Sequence, residues 1–350
     1  MPIINTFVLY SYNIIISFMT KTAIENLFLN FEDKNILIIG DVMVDAYLTG
    51  SVNRISPEAP VPVVSVEGRS SKMGGAANVA LNVRALGAKP FLCSVIGSDA
   101  RGDEFIGLLA KRKMSNKGIV RSKSRPTTTK FRVIGNNVQM LRVDEEVEYY
   151  INRNEEKELL DHINNIVIEE KIDAIIFEDY DKGSITPTLI KAVVKLAKKK
   201  NIIITVDPKK RNFNSFKNLT LLKPNFKELK DGCDIELENG DIPAIRDAAM
   251  NLLRTNNLEV VMVTLSEHGI LICERNLQTH IPAIVRNIAD VSGAGDTVIS
   301  VLTLGLSAGL KPVDAAKLSN LAGGLVCEQV GVSPIDKRKL KEESINILKY

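Results

Sequence analysis

Residues 290–297 read Asp290-Val291-Ser292-Gly293-Ala294-Gly295-Asp296-Thr297, and an apolar stretch over 298–310 follows directly. A small-residue turn therefore opens a buried helix and sets one acid in its first turn. Backbone N–H groups at a helix start lack intrahelical partners, and the helix dipole favours negative charge there, so the turn suits an anion. Gly293, Ala294 and Gly295 carry almost no side chain, which lets a triphosphate approach the main chain. Asp296 then stands beside the phosphate, able to accept a proton from an attacking hydroxyl. The plainer alternative is a tight left-handed turn that only caps a helix.

Outward from this turn, short apolar runs alternate with helical patterns. Runs at 36–40, 91–97, 174–177, 202–206, 219–222, 260–265 and 270–273 read as buried strands. Helical periodicity falls near 76–86, 103–113, 154–170, 187–199, 242–256, 297–309 and 313–329. Such alternation predicts an α/β fold with a mostly parallel sheet covered on both faces, and ligands at the carboxyl ends of its strands. Two segments break the pattern. Residues 46–72 contain Val61-Pro62-Val63-Val64-Ser65-Val66 with no helix, and 127–143 hold two strands around Gly135-Asn136-Asn137, a hairpin signal. Together they predict a small separate sheet, either a flap over a pocket or an ordinary edge hairpin.

Four strand ends carry chemistry. Gly40-Asp41-Val42-Met43-Val44-Asp45 puts two acids where sugar hydroxyls could be held, or where a loop acid caps the next element. Gly74-Gly75-Ala76-Ala77-Asn78 precedes a helix of small residues; it fits close backbone approach by a ligand or plain loop punctuation. Asn225 and Glu228, three apart in Lys223-Pro224-Asn225-Phe226-Lys227-Glu228, could reach a magnesium ion through its waters, but also spell a capping box. Val263-Thr264-Leu265-Ser266-Glu267-His268-Gly269 suits a nucleotide or a hairpin turn equally well.

The 45 basic and 42 acidic side chains nearly cancel and are scattered, so nucleic-acid binding is not implied. The four cysteines, Cys93, Cys233, Cys273 and Cys327, have neither metal-ligand nor disulfide spacing, which fits a reducing cytoplasm. The three histidines form no ligand motif. Motifs of P-loop enzymes, Rossmann dehydrogenases and protein kinases are absent from the sequence. Residues 7–18 are apolar but too short to span a bilayer, and the start lacks the marks of a signal peptide. No stable membrane insertion is expected. Residues 1–18 read as a non-native extension before a natural start at Met19, and 19–350 as a single domain.

In their order, these motifs resemble the ribokinase-like (PfkB) carbohydrate kinases over nearly the whole chain from residue 35. Within that family, Arg54-Ile55-Ser56-Pro57-Glu58-Ala59-Pro60-Val61-Pro62-Val63, Gly74 to Ala80, Glu178-Asp179-Tyr180-Asp181-Lys182-Gly183 and Val206-Asp207-Pro208-Lys209 resemble the heptose-7-phosphate kinases. Those enzymes phosphorylate O1 of D-glycero-β-D-manno-heptose 7-phosphate on the route to ADP-heptose and lipopolysaccharide. The resemblance implies a three-layer sandwich with a β lid from about 46–72 and 127–143. It also implies ATP, Mg²⁺, in some members a monovalent cation, and a homodimer through the lid.

By the same resemblance, Asp296 is the base and Gly293, Ala294 and Gly295 form the anion hole. Asn225 and Glu228 lie near magnesium and phosphates. Thr264, Ser266 and Gly269 border the nucleotide, and Asn320 reaches toward the adenine. Asp41, Asp45, Gly74, Gly75, Asn78 and Asp179 face the sugar, with Lys209, Arg142 and Arg54 as candidates for its distal phosphate, which needs a cation. Asp181 departs from the subgroup, which usually has glycine there. No HxGH nucleotidyltransferase motif is present, so kinase activity alone is expected. Rival readings are a kinase for a ketohexose, a ketodeoxy acid or a nucleoside, and a non-catalytic sugar-binding regulator.

Overall fold

The computed structural model describes residues 20–284, 286–329 and 331–347. The expected extension, 1–18, and its neighbour Met19 lie outside the described residues. The apolar runs assemble into one nine-stranded sheet. Its spatial order is Gln278–Ile281 (β13), Ile270–Glu274 (β12), Val260–Thr264 (β11), Leu221–Leu222 (β10), Ile203–Asp207 (β9), Ala174–Glu178 (β8), Asn35–Gly40 (β1), Lys89–Gly97 (β4) and Gly118–Ser122 (β5). Pairing is parallel from β11 through to β5 and antiparallel across β11, β12 and β13.

Period-two alternation sends successive side chains to opposite faces. Ile36 and Ile38 join one apolar core, and Leu37 and Ile39 the other. The first core takes Lys21–Asn30 (α1), Ala76–Ala85 (α2), Ala100–Lys111 (α3), Ala294–Ser307 (α8), Pro312–Cys327 (α9) and Lys337–Ile347 (α10). The second takes Arg153–Glu169 (α4), Pro187–Lys200 (α5), Phe226–Cys233 (α6) and Ile242–Thr255 (α7). The expected three-layer α/β sandwich is what forms. Because the parallel strands all run the same way, their carboxyl ends, and the polar residues that follow them, line one edge.

Several helix starts, those of α1, α3, α4, α5, α6 and α7, follow side-chain caps. Asp99 accepts a hydrogen bond from the Gly102 N–H at 2.7 Å, so α3 begins at Ala100, earlier than its apolar periodicity indicates. Lys198, Lys199 and Lys200 fill the last turn of α5, where cations suit the dipole. The strand expected at 219–222 is shortened to Leu221–Leu222, after Asn218 in left-handed backbone at φ 60°. Strand β5 and helix α10 had no clear sequence signal, whereas α6 begins at the capping box that Asn225 and Glu228 spell. β5 is short and interrupted by Arg121, and α10 buries little more than Leu340 and Ser344.

The two irregular segments form a separate four-stranded sheet in the order Pro62–Gly75 (β3), Val42–Ile55 (β2), Thr129–Gly135 (β6) and Val138–Glu145 (β7). It reaches closer to the body than the spans 46–72 and 127–143. β2 starts two residues after β1 ends, and β3 runs straight into α2. The hairpin turn is made by Asn136 and Asn137, both at positive φ. Among the described residues no helix is long and apolar enough to cross a membrane.

The β8 core depends on Phe177, fully buried with its ring 5.7 Å from that of Phe216. Phe177→Ala should lower unfolding free energy by about 3–5 kcal/mol in denaturant titration, the usual cost of removing a buried aromatic ring.

Candidate active site

Gly293 stands at φ 79° as the N-cap of α8 and turns the chain into the helix. A side chain there would be strained by the backbone angle and would meet the Asn78 amide nitrogen at 2.9 Å. The turn is braced by Asp290, whose carboxylate accepts hydrogen bonds from the Ser292 and Gly331 N–H groups, each at 2.9 Å. The Ala294 N–H is taken by the Val291 carbonyl at 3.2 Å, whereas those of Gly295 and Asp296, in the first turn of α8, have no carbonyl one turn back. They open on a cleft of about 570 Å³ that also holds Tyr180, Asn225, Glu228, Thr264 and Asn320.

Asp296 is 5% exposed. Its Oδ2 accepts a hydrogen bond from the Asn78 amide at 2.6 Å, and its Oδ1 one from the Tyr180 hydroxyl at 2.8 Å. Burial pushes its carboxyl up to about 6, against the pull of those two hydrogen bonds and with the help of the Asp207 charge. Asn78 thus bears directly on the acid at α8, a contact its place in the first turn of α2 does not reveal.

Beneath the anion turn lies a buried cluster of charge. Lys223, 2% exposed, donates to Asp207 Oδ2 at 2.7 Å. Burial works against the Lys223 ammonium, but Asp207 and Glu228 outweigh it and hold the charge above its usual range. Glu178 pairs in register with Asp207 on the next strand, and burial, then the Asp207 and Asp296 charges, push its carboxyl well above the usual range. Lys209 is paired with Glu228 and lies 5.5 Å over the Tyr180 ring. Lys209 is therefore tied to the Asn225 motif, a partner its sequence position did not suggest.

Asn225 and Glu228 do form the capping box. Asn225 Oδ1 accepts from the Glu228 N–H, and Glu228 Oε2 from the Asn225 N–H, both at 2.8 Å. Asn225 Oδ1 and Glu228 Oε2 are thereby engaged at the start of α6, and Glu228 Oε1 is paired with Lys209. Among the described residues no group of three or more His, Cys, Asp or Glu side chains could hold a metal ion. Direct protein ligation of magnesium does not fit these residues; a hydrated ion carried by phosphates, reached through water, does. Thr264 sits beside Asn225 through a parallel bridge, so two motifs far apart in sequence meet. Gly269 (φ 83°) returns the chain beyond Ser266, and Asn320 donates to the Pro282 carbonyl at 2.9 Å. Gly323 and Gly324 on α9 also border this end of the cleft.

The family model for pfkB family carbohydrate kinases matches residues 33–338. The chain belongs to that family. Its ribokinase-like fold agrees with solved structures: phosphofructokinase-2 from Escherichia coli superposes with a TM-score of 0.72 at 18% identity, covering 91% of this chain and 99% of that one. A ribokinase from Thermotoga maritima gives 0.64 at 22% identity, covering 89% and 99%. Curated relatives named bifunctional protein HldE are 40% identical in Methylobacillus flagellatus, over 88% of this chain and 62% of that protein. The Helicobacter pylori counterpart is also 40% identical, over 85% and 64%. The chain thus spans under two thirds of the length of these relatives.

In this pfkB chain the remaining candidates divide. Asp45 is 4% exposed and accepts from Arg132 at 2.5 Å; a side chain on Gly74 would meet its Oδ2 at 2.4 Å, and one on Gly75 (φ 61°) the Asp41 carbonyl at 2.3 Å. Asp41 itself is spent on the backbone, accepting from the N–H groups of Tyr180 (2.9 Å), Lys182 (3.0 Å) and Ser184 (2.9 Å). Asp179 is likewise engaged, by Asn212 and the Asp181 N–H, each at 2.9 Å; burial, then the Asp41 charge, push it up to about 7. Asp181 adopts φ 56°, the left-handed backbone for which glycine is the usual choice.

Cross-strand register puts Lys72, Asp45, Lys130 and Asp144 in one row of the lid and Tyr47, Arg132 and Arg142 in the next, on one face. Lys72 from this face donates to the Val332 carbonyl at 3.1 Å, so it looks onto the loops around α8. Arg142 is gripped by Asp144 at 2.6 and 2.8 Å. Arg54 is exposed near the far end of β2. Arg132 was missed in the sequence; period-two spacing from Lys130, opposite Asp45, is the signal that marks it.

Lys223→Met should destabilise the protein by about 3–5 kcal/mol, because it strands a buried carboxylate. Adding Asp207→Asn should recover much of that loss in a double-mutant cycle read by denaturant unfolding.

Proposed function

We propose that the protein is an ATP-dependent sugar kinase that phosphorylates O1 of D-glycero-β-D-manno-heptose 7-phosphate, giving the 1,7-bisphosphate that leads to ADP-heptose. One observation carries the kinase reading: a buried acid, Asp296, in the first turn of α8, beside a side-chain-free run of N–H groups, in the same cleft as Asn225 and Thr264. The heptose assignment rests on the motifs around Arg54, Gly74, Glu178 and Asp207 and on the identity to HldE proteins.

In this reading the sugar hydroxyl attacks the γ-phosphorus in line as the bond to the β–γ bridging oxygen breaks, and ADP leaves with the electron pair. The hydroxyl proton passes to Asp296. The N–H groups of Gly293, Gly295 and Asp296 would face the charge that grows on the transferring phosphoryl oxygens. Magnesium would screen phosphate charge, and Glu228 and Asn225 would meet its waters. Thr264, Ser266 and Gly269 would flank the nucleotide, with its base along Asn320 and the two glycines of α9. Asp45 holds sugar hydroxyls, and the lid cations meet the distal phosphate, whose double negative charge needs them. Two such chains would pair through the outer face of the lid, where Leu141 and Val143 are exposed.

Asp296→Asn should lose roughly 10³-fold or more in turnover in a coupled ADP-release assay with magnesium ATP and the heptose phosphate, with ATP binding retained. Retention of about a tenth of wild-type turnover would remove the base assignment. Because the base must be ionised and its carboxyl titrates at about 6, kcat/KM should fall as pH drops below that value and level off above it. Arg142→Ala should raise KM for the heptose phosphate by about ten-fold or more and change KM for the unphosphorylated heptose far less, as expected for a lost charge-assisted contact. Turnover of fructose, ribose or fructose 6-phosphate in place of the heptose would keep the chemistry and reassign the substrate.

A further inference from the structure

Tyr180 follows β8 by two residues, 116 positions before Asp296 in the chain, yet its hydroxyl donates to Asp296 Oδ1 at 2.8 Å. The other oxygen, Oδ2, takes the Asn78 amide at 2.6 Å. The two donors come from different elements, α2 and the loop after β8, so the carboxylate is gripped from two directions and its rotation is fixed.

The loop that carries Tyr180 is itself immobilised. Asp41, at the end of β1, accepts three backbone N–H groups from it, including that of Tyr180. Asp179 closes a tight turn on the Asp181 N–H, and Asn212 holds Asp179 from below. An acid at the end of β1 thus reaches the reaction centre indirectly, through the backbone that presents a phenol. Lys209, 5.5 Å over the Tyr180 ring, adds a cation–π contact that holds the ring in place. Burial of the hydroxyl, then the Asp296 and Glu178 charges, hold the phenol well above its usual range, so the donated hydrogen is present throughout the working pH range.

We propose that Tyr180 is the positioning residue of the general base: with Asn78 it clamps the Asp296 carboxylate in the orientation that accepts the sugar proton. This rests on the assignment of Asp296 as base. The other charged groups about Asp296 are Glu178 at the end of β8, Asp207 at the end of β9, Lys209 beyond it, Lys223 after β10 and Glu228 on α6. None of them is altered by removing the Tyr180 hydroxyl.

A donor to a carboxylate favours its charged form, so its loss must raise the pH at which the base titrates. In Tyr180→Phe the acidic limb of the kcat/KM profile should move to higher pH by about one unit, the worth of one hydrogen bond to a charged group. KM for ATP should change little. Replacing Tyr180 with 3,5-difluorotyrosine, a stronger donor of nearly the same shape, should move the limb the other way. The same titration followed by ¹³C NMR of carboxyl-labelled aspartate needs no turnover, and Asp296→Asn identifies the resonance. Opposite shifts in the two variants support the clamp. A uniform drop in rate at every pH, or an Asp296 titration unmoved in both variants, overturns it. A shifted Asp296 resonance in a protein inert toward the heptose phosphate would keep the clamp and defeat the substrate reading instead.

Discussion

The pairing of Lys223 with Asp207 sits under everything else in the cleft. Parallel strands must end somewhere, and here β8, β9 and β10 end on Glu178, Asp207 and, just beyond β10, Lys223, side by side and out of water. A buried ammonium is tolerable only with an acid against it, and Lys223 has one at 2.7 Å. That pair fixes the floor on which the α8 turn rests: a side chain on Gly295 would lie 3.6 Å from Asp207 Oδ2 and 4.0 Å from the Lys223 ammonium. The turn therefore rests on a buried ion pair, with the Asp207 carboxylate the nearer of its two charges. Burial first, and then the neighbouring carboxylates, keep Glu178 and Asp296 more basic than free acids.

The lid is joined to this floor by short covalent and polar links. β2 leaves β1 after a single residue, and β3 returns straight into α2 through Gly74 and Gly75. The glycines are required because the Asp45 carboxylate and the Asp41 carbonyl approach so closely. The lid's charged face is thus set directly against the loops at the start of α8. Asp41 and Asp45, four residues apart, take different duties for the same reason. Asp41 lies inside, where only backbone donors reach it, and Asp45 lies on the sheet face that carries Arg132.

Much of the architecture was legible because burial on both faces leaves uninterrupted apolar runs, and because helix periodicity survives in the long amphipathic helices α4, α5 and α7. Elements that depend on neighbours were harder to read: β5 completes a sheet edge around a charged residue, and α10 covers the body with few apolar side chains. At the site, the turn at Gly293 and the acid at Asp296 were legible, because glycine spacing before an apolar helix has few physical meanings. The alternatives at Asn225 collapsed into one arrangement, since the capping box forms and leaves only water-mediated reach toward an ion. Lys209 and Asp41 had partners that no local pattern encodes.

The sequence by itself determined the layered α/β fold, the glycine turn that opens α8 with its acid, and a hairpin sheet set apart from the main one. These are local consequences of periodicity, glycine backbone freedom and helix-end polarity. Only the tertiary structure decided what each acid does. It put Asn78 and Tyr180 on Asp296, gave Asp41 to the backbone, matched Lys209 with Glu228 and lined Arg132 beside Asp45. The physical reason is that a carboxylate's role depends on its burial and on which donors face it, and those donors arrive from strands and helices far away in the chain.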